Sequence, residues 1–185
     1  MSILNEAINF AVKYHDGAFR KGTNIPYIVH PLEAGVIALS ITNDLEVVSA
    51  SILHDVLEDT SATKEEIKEK FGVRVLNLIL ADTEDKMLSI SADKSWKIRK
   101  QATLDFLETA DFNEQIVCLS DKLSNIRAIY RDYVSLGDKL WDRFNQKDKN
   151  EHAWYYLGIA EKLTLLKDTV AYKEYVELLQ KVFDK

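Results

Sequence analysis

The strongest constraint on this chain is periodic. Apolar residues recur at helical spacing in one segment after another, and no segment alternates apolar with polar residues over any length. Residues 3 to 19 show the pattern, with Ile3, Leu4, Ala7, Ile8, Ala11, Val12 and Phe19 in register for one helix. Only 6 Gly and 2 Pro interrupt a chain of 185 residues, so there are few natural breaks and long helices follow. Pro31 suits the first turn of a helix running to about Ile41. "TND" at 42–44 caps the next, which begins near Leu45 and carries the stretch "ASILHDVLEDT". Thr63 and Glu66 form a capping-box pattern, and Gly72 ends that short helix. Residues 73 to 81 are apolar and expected to be buried, and "ADTEDKMLSISADKS" reads as an exposed loop. Further helices fit 95 to 109, 114 to 131, 151 to 167 and 171 to 183. The prediction is a single all-α domain over residues 1–185, a length sufficient for one real core.

Charge and cysteine usage limit the function. A formal net charge of -6 argues against a general nucleic-acid binder, though local Arg and Lys can still hold a small anion. The single cysteine, Cys118, has no internal partner and suggests a reducing compartment. The start lacks a basic segment followed by an apolar run, and no apolar stretch has membrane-spanning length. A cytoplasmic protein with no membrane partner is expected. The sequence sets no oligomeric state.

The quoted stretch at 50–60 attaches His54, Asp55, Glu58 and Asp59 to an apolar run. On a helix, His54 and Glu58 share one face, as do Asp55 and Asp59, and His54 and Asp55 can reach one ion at the helix edge. A buried imidazole beside a buried carboxylate needs a partner, and a metal ion satisfies both; the plainer alternative is a solvated helix end. His30 precedes Pro31 and could equally be a cap or a core residue. Asp121 lies in the apolar run "IVCLSDKLSNIRAI", where a carboxylate must ligate a cation or pair with Lys122, Arg127 or a more distant Arg.

In order, His30, His54-Asp55 and Asp121 resemble the metal-binding signature of the HD phosphohydrolase superfamily. "HDGAFRKGTNIPYIVHP", "ILHDVLEDT" and "LSDKLSNIRA" are similar to the hydrolase domain of the RelA/SpoT enzymes, and the short chain is most similar to the stand-alone small alarmone hydrolases. The matching blocks run from about His15 to Arg127. The resemblance implies a helical HD-domain bundle with no synthetase half. It implies His30, His54, Asp55 and Asp121 as metal ligands, Glu58 and Asp59 as the pair that activates water, and Arg20, Lys21 and Asn125 as contacts to the nucleotide. It also implies Mn²⁺; ligand type alone allows Mn, Fe or Zn. Arg20 and Lys21 also read as ordinary helix-end cations.

Two departures concern the substrate. Ser124 and Ala128 stand where longer family members usually have His and Thr. The lysine of the family's V-T-K word has at most Lys86 as a counterpart. Three functions follow: removal of the 3′-pyrophosphate of guanosine tetra- or pentaphosphate, dephosphorylation of another nucleotide such as NADPH or a deoxynucleotide, or a non-catalytic nucleotide-binding module. Trp154, Tyr155 and Tyr156 are expected to be core residues, with a base-stacking role as the alternative, and His15 and His152 are expected to be structural.

Overall fold

The computed structural model describes residues 1–84, 87, 89 and 91–184, without the side chains of residues 92 and 93. Lys86 therefore lies outside the described residues. The helices are α1 Ile3–Tyr14, α2 Val29–Leu39, α3 Leu45–Leu53, α4 Val56–Asp59, α5 Lys64–Asp82, α6 Ala92–Leu107, α7 Phe112–Leu136, α8 Lys149–Lys162 and α9 Val170–Phe183. Short 3-10 turns occupy Gly137–Arg143 and Thr164–Leu166. The described residues form no strand beyond one antiparallel bridge, Phe19 to Pro26. None of their helices is long and apolar enough to cross a membrane.

The starts of the helices are written in the chain. Asp44 accepts from the Glu46 N–H, and Thr63 with Glu66 makes the predicted capping box. Asp111 with Glu114 makes a second box at the head of α7. Two helices carry the core. Every residue of α3 from Val47 to Leu53 is buried, as is every residue of α7 from Gln115 to Ser124. A helix apolar all round must be enclosed, and α1, α2, α5 and α7 pack around α3. Gly35 lets α2 approach: a Cβ there would stand 2.4 Å from Ile52 Cγ1.

Several boundaries depart from expectation. The first helix stops at Tyr14, not residue 19; Gly17, at φ +74, turns the chain, and Phe19 is 58% exposed in the bridge. Arg20 and Lys21 therefore sit on a loop and not at a helix end. Pro31 lies in the first turn of α2 as predicted, but the helix begins at Val29 and includes His30. The helix expected to carry the whole stretch 50–60 is interrupted at His54-Asp55. There His54 Nδ1 donates to the Ser51 carbonyl at 2.8 Å, closing α3 with a side chain. Gly72, at φ +86, breaks α5, and the helix resumes through the apolar segment to Asp82. α7 runs further than 114–131 at both ends, and α6 begins at Ala92.

Candidate metal centre and its cavity

His30 from α2, His54 and Asp55 from the α3–α4 junction, and Asp121 from α7 converge in the interior. The Nε2 atoms of the two imidazoles are 3.2 Å apart. Asp121 Oδ1 lies 3.2 Å from His30 Nε2 and 3.5 Å from His54 Nε2. Asp55 Oδ2 lies 2.9 Å from His54 Nε2 and 3.4 Å from His30 Nε2. His30, His54 and Asp121 are buried and offer ligand atoms all within 4.8 Å of one another.

The donor set fits a cation on two counts. An ion about 2.1 Å from each atom needs neighbouring ligand atoms roughly 3.0–3.4 Å apart, for octahedral and tetrahedral geometry in turn. The observed separations, from 2.9 to 3.5 Å, lie within 0.1 Å of that range. The tautomers agree as well. A carbonyl only accepts, so His54 Nδ1 carries the proton it gives Ser51. Ser124 Oγ donates to Glu33 Oε2 at 2.7 Å and so accepts from His30 Nδ1 at 2.8 Å. With Nδ1 engaged as a donor in each ring, the two Nε2 atoms face the same point and are the positions a cation would take.

The partners behind the centre were only partly foreseen. Asp121 does pair with Lys122, through Oδ2, and leaves Oδ1 for the imidazoles. Asn125 Nδ2 donates to that Oδ1 at 2.5 Å, and Asn125 Oδ1 accepts from Arg20 Nη2 at 2.7 Å. Ser124, expected beside a substrate, is buried behind His30 instead. Tyr27, Glu33 and Glu84 escaped the sequence reading; the apolar neighbours of "PYIVHP" hid Tyr27, although it precedes His30 by three residues on the same helical approach.

Glu58 and Asp59 follow the junction on α4. Burial, then Asp55, Glu84 and Asp59, push the Glu58 carboxyl up to about 7, opposed by the Glu84 N–H at 3.4 Å. Burial would lower the His54 pKa, but Asp55 and Asp121 outweigh it and hold it well above the usual value. Burial would raise Asp55 and Asp121; the imidazoles, joined at Asp121 by Lys122, hold both well below the usual carboxylate range.

The polar pocket at the centre includes Arg20, Tyr27, Glu58, Lys100 and Asn125. Arg20, Tyr27, Lys100 and Asn125 also line an adjoining cavity of about 280 Å³. Lys21, Arg131 and Arg143 add cations to its wall, and Trp96, Phe144, Tyr155 and Tyr156 add aromatic faces. Lys21 donates to Asn145 Oδ1 at 3.0 Å. Tyr155 and Tyr156 are thus core residues that also line the cavity, whereas Trp154 packs outside it under Lys97. Ala128 faces the cavity; His152 stacks on Trp141 at 4.9 Å and also reaches the wall. His15 is buried against Tyr27 at 4.8 Å.

A helical domain that gathers two imidazoles and two carboxylates from separate helices, next to a cation-lined cavity, belongs to the class of metal-centred α-helical domains. Its family can be given: residues 7–146 match the model of the HD domain, and the chain belongs to that family. It is 35% identical over 128 residues to a guanosine-3′,5′-bis(diphosphate) 3′-pyrophosphohydrolase of Aquifex aeolicus, covering 69% of this chain and 18% of that one. The chain thus spans less than a fifth of that relative. It is 34% identical over 134 residues to the guanosine-3′,5′-bis(diphosphate) 3′-pyrophosphohydrolase MESH1 of Danio rerio, covering 70% of this chain and 71% of that one. The crystal structure of lmo0812 from Listeria monocytogenes superposes with a TM-score of 0.74 at 28% identity, over 88% of this chain and 99% of that chain.

Proposed function

We propose that this chain is a metal-dependent guanosine-3′,5′-bis(diphosphate) 3′-pyrophosphohydrolase, turning (p)ppGpp and water into GDP or GTP and pyrophosphate. The observation that carries the reading is the convergence of His30, His54, Asp55 and Asp121 at a polar pocket that shares Arg20, Tyr27, Lys100 and Asn125 with a cation-lined cavity. The names of the Aquifex and Danio relatives supply the nucleotide. His30, His54, Asp55 and Asp121 hold the ion. A set of imidazoles and carboxylates without thiolate suits Mn²⁺, the ion the family resemblance implies. When bound, such an ion makes water acidic enough to attack at neutral pH and polarises a phosphoryl oxygen.

The chain's own groups do the rest. Glu58, with its carboxyl near neutrality, takes a proton from the attacking water and returns one to the departing 3′ oxygen. Asp59 aligns that water. Attack falls on the phosphorus attached to the 3′ oxygen, so pyrophosphate leaves intact. Arg20 and Lys21 neutralise and orient the nucleotide, and Asn125 ties Arg20 to the ligand Asp121, linking recognition to the centre. A free thiol at Cys118 and a nucleotide substrate support a reducing compartment, the cytoplasm, for this work.

The test is to strip the metal, reload with Mn²⁺, offer a panel of nucleotides and weigh the products. Chelation should abolish turnover and Mn²⁺ restore it, with GDP and intact pyrophosphate formed from guanosine tetraphosphate. Asp55→Ala should lose the metal as well as the activity. A second reading keeps the centre and changes the nucleotide. Ala128 favours it, because it presents a methyl group to the cavity where the family pattern has a hydroxyl. Brisk NADPH dephosphorylation with no turnover of the tetraphosphate would decide for it.

A further inference from the structure

The Tyr27 hydroxyl has no part in the roles above, yet it touches two of the residues that do. It donates to Asp55 Oδ2 at 2.5 Å. That oxygen is the one facing the imidazoles, 2.9 Å from His54 Nε2 and 3.4 Å from His30 Nε2. The same hydroxyl lies 3.3 Å from Asp59 Oδ2.

The fold places this side chain firmly. The Tyr27 N–H donates to the Ala18 carbonyl at 2.8 Å, and its carbonyl accepts from the His30 N–H at 3.0 Å. Its position is thus tied to the Phe19–Pro26 bridge on one side and the head of α2 on the other. Its ring centroid lies 4.8 Å from that of His15 and 5.8 Å from that of His30, and the Arg20 guanidinium lies 5.6 Å from it.

A carboxylate oxygen offers two lone pairs. A short bond from a phenol occupies one and leaves the other directed toward the point between the imidazoles. Asp55 is then held in one rotamer, with one oxygen presented, before any ion arrives. Because the hydroxyl has a single proton, its contact with Asp59 is the weaker, but it sets the separation of the two carboxylates. We infer that Tyr27 is a positioning residue: its hydroxyl fixes Asp55 for cation binding and sets Asp59 relative to it. The inference rests on the proposed metal site.

Tyr27→Phe removes the hydroxyl and keeps the ring contacts. The first readout needs no substrate: Mn²⁺ titrated into metal-free protein should bind about 10- to 100-fold more weakly than to wild type, the range for loss of a group that orients a ligand. With saturating Mn²⁺ and guanosine tetraphosphate, kcat should fall while KM changes little, because the hydroxyl acts through Asp55 and Asp59. Metal-free Tyr27→Phe should melt near the wild-type temperature. Wild-type Mn²⁺ affinity in Tyr27→Phe overturns the inference, whatever the turnover. Failure of Tyr27→Phe to fold overturns it too, because the hydroxyl would then serve the fold. Failure of the proposed function looks different: a wild-type protein that binds Mn²⁺ but releases no pyrophosphate.

Discussion

At the scale of single residues, Ser124 supports the His30 imidazole from behind. Its hydroxyl accepts from His30 Nδ1 and donates to Glu33 Oε2, which fixes Nδ1 as the protonated nitrogen. Ser124→Ala should weaken Mn²⁺ binding by about 10- to 100-fold, measured by titration, with little change in the nucleotide KM. Glu58 makes a sharper case because its two effects separate by pH. Its folded carboxyl sits at about 7 against an ordinary 4.5. A raised carboxyl favours the folded state when protonated, and that stability is lost as pH climbs through the folded value. Glu58→Gln should therefore leave metal-free thermal stability unchanged near pH 4.5 and raise it at pH 8. In the loaded enzyme the same variant should lose about 10²-fold or more in kcat. Near-normal turnover would return Glu58 to the part of a helix-end charge.

At the scale of elements, the contact between α2 and α3 sets the spacing of the two histidines. Gly35 is there because Ile52 leaves no room for a methyl group, with Cγ1 at 2.4 Å and Cδ1 at 2.8 Å from the position a Cβ would take. Gly35→Ala should cost about 1–3 kcal/mol in chemical denaturation and weaken Mn²⁺ binding as α2 is pushed off α3. Ile52→Ala removes the clashing atoms, so the double variant should be less destabilised than the sum of the two single ones. Additive losses would mean that this contact does not set the spacing. The break between α3 and α4 belongs to this scale as well. At the interruption His54 reaches α7, with Nε2 3.5 Å from Asp121 Oδ1, while Asp55 Oδ2 lies 2.9 Å from the same Nε2.

At the scale of the whole molecule, the proposed metal centre is the point where α2, the α3–α4 junction and α7 meet, so ion binding there would be linked to folding. An ion that binds only the folded chain stabilises it by about 2.7 kcal/mol at a hundred times its Kd. Protons compete for the place. Without metal, Asp55 and Asp121 hold His54 protonated well above its usual range. That stabilisation is fully present below pH 6.5 and is lost as pH rises through the elevated folded value. The thermal shift produced by a fixed Mn²⁺ concentration should therefore grow from pH 6 to pH 8. A shift that shrinks with rising pH would remove His54 from the ligand set.

What the sequence determined by itself was local. Helical period, N-caps at Asp44 and Thr63, and the scarcity of Gly and Pro were enough for an all-α chain, since each acts over a few residues. The family words brought His30, His54, Asp55 and Asp121 forward as candidates, and chemistry supplied a reason: buried imidazoles and carboxylates need a shared partner. Tertiary structure decided what depends on distant partners. It turned Ser124 away from the cavity and onto His30, 94 positions apart in sequence, and joined Arg20 to Asn125 across 105. It also brought the Tyr27 hydroxyl to Asp55 and Asp59, because only the packing of α2 against α3 and α7 fixes where those side chains meet.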